Sequence, residues 1–261
     1  MNASIAFDRA VEYYDQTRGF PAGTEGAVAA LIAQTGNLNA DSRVLEIGVG
    51  TGRIALPLSA HVKSYYGVDL SRPMMNKLRG KQKGEAIYLA EADATRLPFA
   101  DNVVDAAVVV HVFHLIPNWK DALSELGRVL KLNAPLIHCW TQDNELFRDL
   151  WDVWNTILQR GEPPPVGAQW RKNPAFLEDE GWQPTADPLT YVYSVPKTPR
   201  KFLEEVKSRC WSALWRVSDD DLARGVAAME TVMQDKYADI NEPIPNQATF
   251  YARAYLPPKQ L

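Results

Sequence analysis

Residues 44–56, VLEIGVGTGRIAL, decide the fold. Val44, Leu45 and Ile47 make a short apolar run, Gly48, Gly50 and Gly52 follow in a Gly-x-Gly-x-Gly spacing, and a helical pattern begins in RIALPLSAH. A strand that runs through glycines into a helix turns tightly and lets its backbone approach a ligand closely. The positive end of the following helix is expected to face that ligand. Several nucleotide-binding folds share this much, and three details narrow the choice. Arg53 stands where a dinucleotide fingerprint wants its third small residue. No Gly-Lys-Ser/Thr ending follows, so a phosphate-cradling P-loop is excluded. Glu46, two residues before the first glycine, would repel a pyrophosphate but pair with an ammonium group.

The segments that follow alternate between strand and helix. YYGVDLS (65–71), AIYLAEAD (86–93), VVDAAVVVHVF (103–113) and APLIHCW (134–140) are apolar runs of strand length. RPMMNKLRG (72–80) and WKDALSELGRVLK (119–131) carry the helical period between them. Unbroken apolar strands alternating with helices predict a parallel sheet covered on both faces. Before this core, residues 5–16 and 24–35 read as helices separated by Gly19, Phe20 and Pro21. After Trp140 the rhythm changes. The patterns predict helices at 143–160, 174–181, 199–209 and 218–238, strands at 185–195 and 248–256, and a proline-rich connector, GEPPPVG, at 161–167.

The glycine segment resembles the first motif of class I S-adenosylmethionine-dependent methyltransferases, and later segments agree in order and spacing. The resemblance covers roughly residues 5–140 and is nearest to the small-molecule group that includes the ubiquinone and menaquinone biosynthesis enzymes. It implies a doubly wound, mostly parallel, seven-stranded Rossmann-like sheet with its last strand antiparallel. It also implies methyl transfer from S-adenosylmethionine to a small, apolar or aromatic acceptor. Glu46 and the backbone of Gly48, Gly50 and Gly52 would serve the methionyl end. Asp69, in GVDLS, stands where the family binds ribose hydroxyls. Asp93 and Ala94 match the adenine-contacting positions, with Leu70, Met74 and Leu97 as apolar walls. His111 matches a position whose backbone contacts the methionyl amine. In the family an N-terminal helix folds over the cofactor, which brings Tyr14 and Arg18 to the site; a surface helix with half-buried tyrosines is the plainer reading. His114 faces the acceptor as a base or orienting group, or simply packs with a hydrogen bond. Asn133-Ala134 replaces the two glycines common before the fifth strand.

The remaining features bound the answer. The 261 residues are 46% hydrophobic and 23% charged with a net charge of −4, ordinary for a globular chain. No overall basic surface recruits nucleic acid by counterion release, so a small acceptor is expected. No stretch is long and apolar enough for a membrane span, and the N-terminus does not read as a signal peptide. Cys139 and Cys210 suggest neither a disulfide framework nor a metal knuckle, which fits a reducing cytoplasmic compartment. No metal is expected, because His111 and His114 have no third ligand nearby. Asp101, Asp105, His61 and His138 read as structural. The expected organisation is one methyltransferase domain over 1–261, with its cofactor-binding core at 36–140. Helical additions at 141–172 and 198–240, rich in tryptophan, would lie over the substrate side. Alternatives are a catalytically silent cofactor-binding protein and a nicotinamide-dependent oxidoreductase. The acceptor, the atom methylated and the oligomeric state are not legible.

Overall fold

The computed structural model describes residues 7–143, 146–159 and 166–258. Most of the predicted connector 161–167 and the first residues of the predicted helix 5–16 lie outside these. Five strands, β1 (Arg43–Ile47), β2 (Ser64–Asp69), β3 (Ile87–Glu91), β4 (Ala106–Val110) and β5 (Leu136–Asp143), precede three later ones: β6 (Gln183–Pro184), β7 (Leu189–Ser194) and β8 (Gln247–Leu256). The sheet order is β3-β2-β1-β4-β5-β8-β6, with β7 also on β8. The pairs among the first five strands are parallel, and β8 runs antiparallel to β6. β4 is buried along its whole length, as a central strand covered on both faces must be.

The doubly wound α/β reading holds, with one correction to the strand count. Among the described residues there are eight strands and not seven, because the residues opposite β8 pair as two short segments. The break between them, residues 185–188, contains Pro188, which has no amide proton to donate to a ladder.

Several helices fall short of their patterns: the one expected at 143–160 is limited to Arg148–Leu158, and residues 174–181 form only a 3-10 turn at Glu178–Glu180. The N-terminal stretch forms a 3-10 turn (Asp8–Ala10) and then only α1 (Tyr14–Arg18), which Gly19 and Pro21 end. After α2 (Glu25–Thr35), the helix behind the glycine turn is α3 (Ala55–Leu58), four residues long. Four residues sum to little macrodipole, so the turn receives less of the dipole contribution than its sequence suggests. α4 (Arg72–Lys81) starts where expected, with Ser71 accepting from the Met74 amide and Pro73 in its first turn. α5 (Trp119–Val129) buries Leu123, Leu126 and Val129. Asn133 adopts φ 62° in the turn before β5, the left-handed region that Asn tolerates better than most side chains.

The chain divides into two compact units. The first comprises Met1–Thr141, Pro165–Tyr191 and Phe250–Leu261. Its core joins Leu45, Ile47, Val109, Phe113, Leu126 and Leu136 with Ala168, Phe176, Leu177 and Trp182. The second comprises Gln142–Pro164 and Val192–Thr249. It contains α6 (Arg148–Leu158), α7 (Pro199–Lys207) and α8 (Asp219–Lys236). Its core is aromatic: Phe147 stacks on Phe202 at 4.5 Å, and Trp151 meets Trp154, Phe202 and Trp211 edge-on. A Cβ at Gly225 of α8 would lie 2.2 Å from the Trp154 ring, so this contact needs glycine. Residues 166–172, expected among the helical additions, fall instead in the first unit, where Ala168 is buried in the core and Trp170 packs against it. No helix among the described residues is long and apolar enough to cross a membrane.

Candidate functional site

The turn after β1 is a left-handed path. Gly48, Gly50 and Gly52 have φ of 70°, 54° and 83°. Their surroundings differ in a way that identifies the open face. A Cβ on Gly48 would strike Val112 at 2.5 Å, and one on Gly52 would strike Leu78 at 2.2 Å. One on Gly50 would meet nothing nearer than Met74 Cε at 3.7 Å. The outer glycines let the turn pack against β4's exit and α4, whereas Gly50 borders space. That space is a cleft lined by Tyr14, Glu46, residues 48–51, Arg53, Ile54 and Val110.

Glu46 is the acid in this cleft. β1 pairs it with Gly67 of β2 and Val108 of β4, so it sits in the middle of the sheet and is only 3% exposed. Tyr65 Oη donates to its Oε2 at 2.9 Å. Burial pushes its pKa up to about 8, against the opposing pull of the Tyr65 hydrogen bond and the Arg53 charge. An ammonium beside it would restore the ionised form. Arg53 lines the same cleft, donates to the Arg18 carbonyl at 2.7 Å and lies over the Phe20 ring at 4.7 Å.

The N-terminal segment is fastened to this turn. Asp15 of α1 accepts from Thr51 Oγ1 at 2.5 Å and from Lys81 Nζ at 3.0 Å. Lys77 Nζ donates to the Val11 carbonyl at 2.7 Å. Burial pushes the Asp15 pKa up, but Thr51, Lys81 and Lys77 outweigh it, so the group is held below the usual carboxylate range. Tyr14 thereby reaches the cleft. Arg18 is not among the lining residues; its charge acts on His114 instead.

Asp69 ends β2, and each of its oxygens already accepts a backbone amide: Oδ2 from Gly50 and Oδ1 from Ser71, both at 2.8 Å. It therefore braces the glycine turn, a role the sequence reading lacked. Each carboxylate oxygen keeps one further acceptor site. Burial raises its pKa despite these bonds. Leu70 beside it is 38% exposed, while Met74, Ala94 and Leu97 are buried. Asp93 is exposed just beyond β3, its Oδ1 closing a turn onto the Thr95 amide and hydroxyl. The parallel register places Asp69 and Glu91 side by side, so Glu46, Asp69 and Asp93 all lie at the carboxyl edge of the sheet.

The histidines lie beyond β4. His111 adopts φ 55°, and its Nε2 accepts from the Thr141 amide at 3.0 Å. That bond fixes the neutral tautomer protonated at Nδ1. Burial first, and then the charges of Arg53, His114, His138 and Arg171, hold its pKa well below the ordinary value. His114 sits in a 3-10 turn (Phe113–Leu115), and its Nδ1 is buried without a hydrogen-bond partner. Burial, Arg171 and Arg18 lower its pKa to about 4, so it is neutral near pH 7. His138 stacks on Trp140 at 5.3 Å within an aromatic cluster. Asp105 accepts from the Arg43 amide at 2.9 Å and from Lys131 at 2.5 Å, and Asp101 pairs with Arg128; both acids are structural, as read from sequence. No group of three or more His, Cys, Asp or Glu among the described residues could hold a metal ion.

Sequence reasoning missed Tyr65, Asp15, Thr51 and Arg171, and had Trp170 only among the tryptophans of the additions. Only Tyr65 carried a signal: in a strand of period two, it stands two residues from Gly67, the partner of Glu46, and so on the same face.

Fold and cleft together define a Rossmann-like α/β protein with a small-molecule site at the carboxyl edge, built on an acid and an open glycine turn. Residues 45–137 match the family described as "Methyltransferase domain". An uncharacterized methyltransferase of Geobacillus kaustophilus is 30% identical over 148 residues, 55% of this chain and 66% of the relative. A demethylmenaquinone methyltransferase of Streptomyces avermitilis is 25% identical over 234 residues, covering 85% of this chain and 90% of the relative. The matched stretch spans about half to two thirds of the length of the first curated relatives. Among solved structures, a Haemonchus contortus phosphoethanolamine N-methyltransferase in complex with phosphomonomethylethanolamine and S-adenosylhomocysteine shares the fold. It is 18% identical with a TM-score of 0.53, covering 97% of this chain and 58% of its own. Residues 45–137 thus carry a methyltransferase-domain match, and the chain is similar to methyltransferases in sequence and in fold.

Proposed function

We propose that the cleft holds S-adenosylmethionine and that the chain transfers its methyl group to a small, apolar or aromatic acceptor. The observation that carries this reading is Glu46: a buried acid at the end of β1, with one oxygen unbonded, in a cleft beside an open glycine. That is a site for an ammonium, and a pyrophosphate would be repelled there. Arg53, the cation of the same cleft, is the partner for the methionyl carboxylate, in preference to Arg18. The remaining acceptor sites of Asp69 receive the ribose hydroxyls. Asp93 accepts from the adenine amino group, with Leu70, Met74, Ala94 and Leu97 as its apolar surroundings. Tyr14 covers the methionyl end.

S-adenosylmethionine supplies a methyl group already activated by positive sulfur, so the chain's task is positioning and exclusion of water. The acceptor's lone pair forms the new bond to the methyl carbon while the old carbon–sulfur pair returns to sulfur. Where the acceptor must lose a proton, His114 Nδ1 receives it: it is neutral and unpartnered. His111, its Nε2 occupied, orients the β4–β5 exit and takes no proton. The names of the relatives, demethylmenaquinone methyltransferases among them, support an aromatic acceptor.

The test is transfer of radiolabel from methyl-labelled S-adenosylmethionine to a panel of phenols, quinols and aromatic acids, with S-adenosylhomocysteine measured in parallel. Label in an acceptor with stoichiometric S-adenosylhomocysteine supports the reading. Tight S-adenosylhomocysteine binding with no transfer across the panel would favour a silent cofactor-binding protein. Binding of NAD in its place would favour an oxidoreductase.

A further inference from the structure

The surroundings of Glu46 single out Tyr65. On β1, Glu46 stands beside Gly67 of β2, and Tyr65, two residues earlier on β2, shares that face. A Cβ at Gly67 would meet Val49 Cγ2 at 2.7 Å and Leu89 Cδ2 at 2.9 Å, so apolar side chains already fill the face there. Tyr65 is fully buried, and its Oη donates to Glu46 Oε2 at 2.9 Å. Arg53, from the end of the glycine turn, and Asp69, from the end of β2, also act on the Glu46 charge. Cys139 of β5 faces it as well, its thiol kept neutral by burial and by Glu46. Tyr14 of α1 lines the same cleft. Among the described residues, Tyr65 is the hydrogen-bond partner of the Glu46 carboxyl, and the second oxygen is left to the cleft, which Glu46 lines and Tyr65 does not.

A ring that only filled the core would not need its hydroxyl. A buried hydroxyl and a buried carboxyl each cost desolvation that Phe beside an apolar residue would avoid. What the pair provides is a buried acid able to ionise, because a donor to one carboxylate oxygen favours the charged form. We propose that Tyr65 is a positioning residue for the cofactor's ammonium: its hydroxyl holds one oxygen of Glu46 so that the other is presented, as part of a carboxylate, to the ammonium. The inference rests on the S-adenosylmethionine reading and adds to it a residue that acts through Glu46 without lining the cleft. Binding near pH 7 then sends the Glu46 proton to solvent, while the Tyr65 hydroxyl keeps its own, held well above its ordinary pKa by burial and by Glu46.

The experiment is calorimetric titration with S-adenosylhomocysteine, from pH 7 to pH 9, of the full chain, Tyr65→Phe, Glu46→Gln and the double variant. Tyr65→Phe keeps the ring and removes one oxygen, and thermal unfolding checks that it folds. Its affinity at pH 7 should be roughly tenfold below that of the original chain, because ionising Glu46 loses a hydrogen bond to the charged form. The deficit should shrink to about twofold by pH 9, where Glu46 is largely ionised before binding. The ligand's amine titrates alike for every chain and cancels from the ratio. In the Glu46→Gln background, Tyr65→Phe should change affinity by less than about twofold. Replacing Tyr65 by 3-fluorotyrosine, a stronger donor of nearly the same shape, should raise affinity at pH 7 and serves where Tyr65→Phe does not fold. A deficit of equal size at every pH, an equal deficit in the Glu46→Gln background, or affinity at pH 7 unmoved by either replacement would overturn the inference and leave the cofactor reading standing. No binding of S-adenosylhomocysteine by the unaltered chain would overturn the cofactor reading, and this inference with it.

Discussion

Replacing Glu46 by Gln should stabilise the empty protein and weaken its cofactor, two effects of opposite sign from one substitution. The carboxyl group is 3% exposed and its one hydrogen bond comes from Tyr65. Its pKa rises from 4.5 to about 8 on folding, chiefly through burial. A carboxyl whose folded pKa lies above its unfolded value contributes most below the unfolded value, and that contribution falls as pH climbs to the folded one. Each pH unit in this window costs about 1.4 kcal/mol, so the loss is about 3 kcal/mol by pH 7 and approaches about 5 kcal/mol by pH 8. The neutral amide of the Glu46→Gln variant cannot ionise and escapes this loss. Thermal unfolding of both proteins from pH 5 to pH 8.5 should give nearly equal Tm values at pH 5. The variant should be more stable by about 10–20 °C at pH 8, since about 1 kcal/mol moves Tm by about 2–4 °C at this size. S-adenosylhomocysteine affinity at pH 8 should fall by about 1.5–3 kcal/mol, roughly ten- to hundredfold, because the ammonium loses a charged partner. In calorimetry the original chain should release a proton on binding near pH 7, and the variant should not. A variant less stable than the original at pH 8 that still binds S-adenosylhomocysteine normally would refute both the electrostatic argument and the placement of the ammonium.

Three further substitutions test other parts of the site. Asp69→Ala removes the brace on Gly50 together with the proposed ribose acceptor; cofactor affinity should fall by about 1.5–3 kcal/mol in a folded protein, and unchanged affinity in titration would show the acid misplaced. Asp15→Ala frees α1 from Thr51 and Lys81, so proteolysis within residues 7–20 should accelerate in the empty protein, and equal cleavage rates would show the fastening to be immaterial. His114→Gln should lower kcat only for acceptors that must lose a proton, with the fall largest for those of highest pKa; a uniform fall across acceptors would assign His114 to packing.

The sheet was legible because its strands are apolar runs bounded by turn residues, as in AAVVV and RVLEI, and because helical spacing returns between them. Glu46 and Asp69 were legible because the glycine spacing fixes which residues end β1 and β2. The N-terminal segment was not: apolar spacing in 5–16 suggested one helix, whereas the bond from Thr51 to Asp15 is a contact across 36 residues that no local pattern encodes. The brace that Asp69 gives the turn follows from the left-handed path at Gly50, which turns an amide toward β2. Arg171 lies in a segment without periodicity, and only Gly167's close approach brings it to His114. The eighth strand depended on a four-residue interruption before β7, too short for a period-two pattern to register.

Calorimetric titration of the unaltered chain with S-adenosylhomocysteine, alongside NAD, decides whether the cleft at Glu46 and Gly50 is an S-adenosylmethionine site. One molecule should bind per chain, with a thermal stabilisation of about 2.7 kcal/mol at a hundredfold excess over Kd and no response to NAD. Binding of NAD with no response to S-adenosylhomocysteine would contradict that assignment.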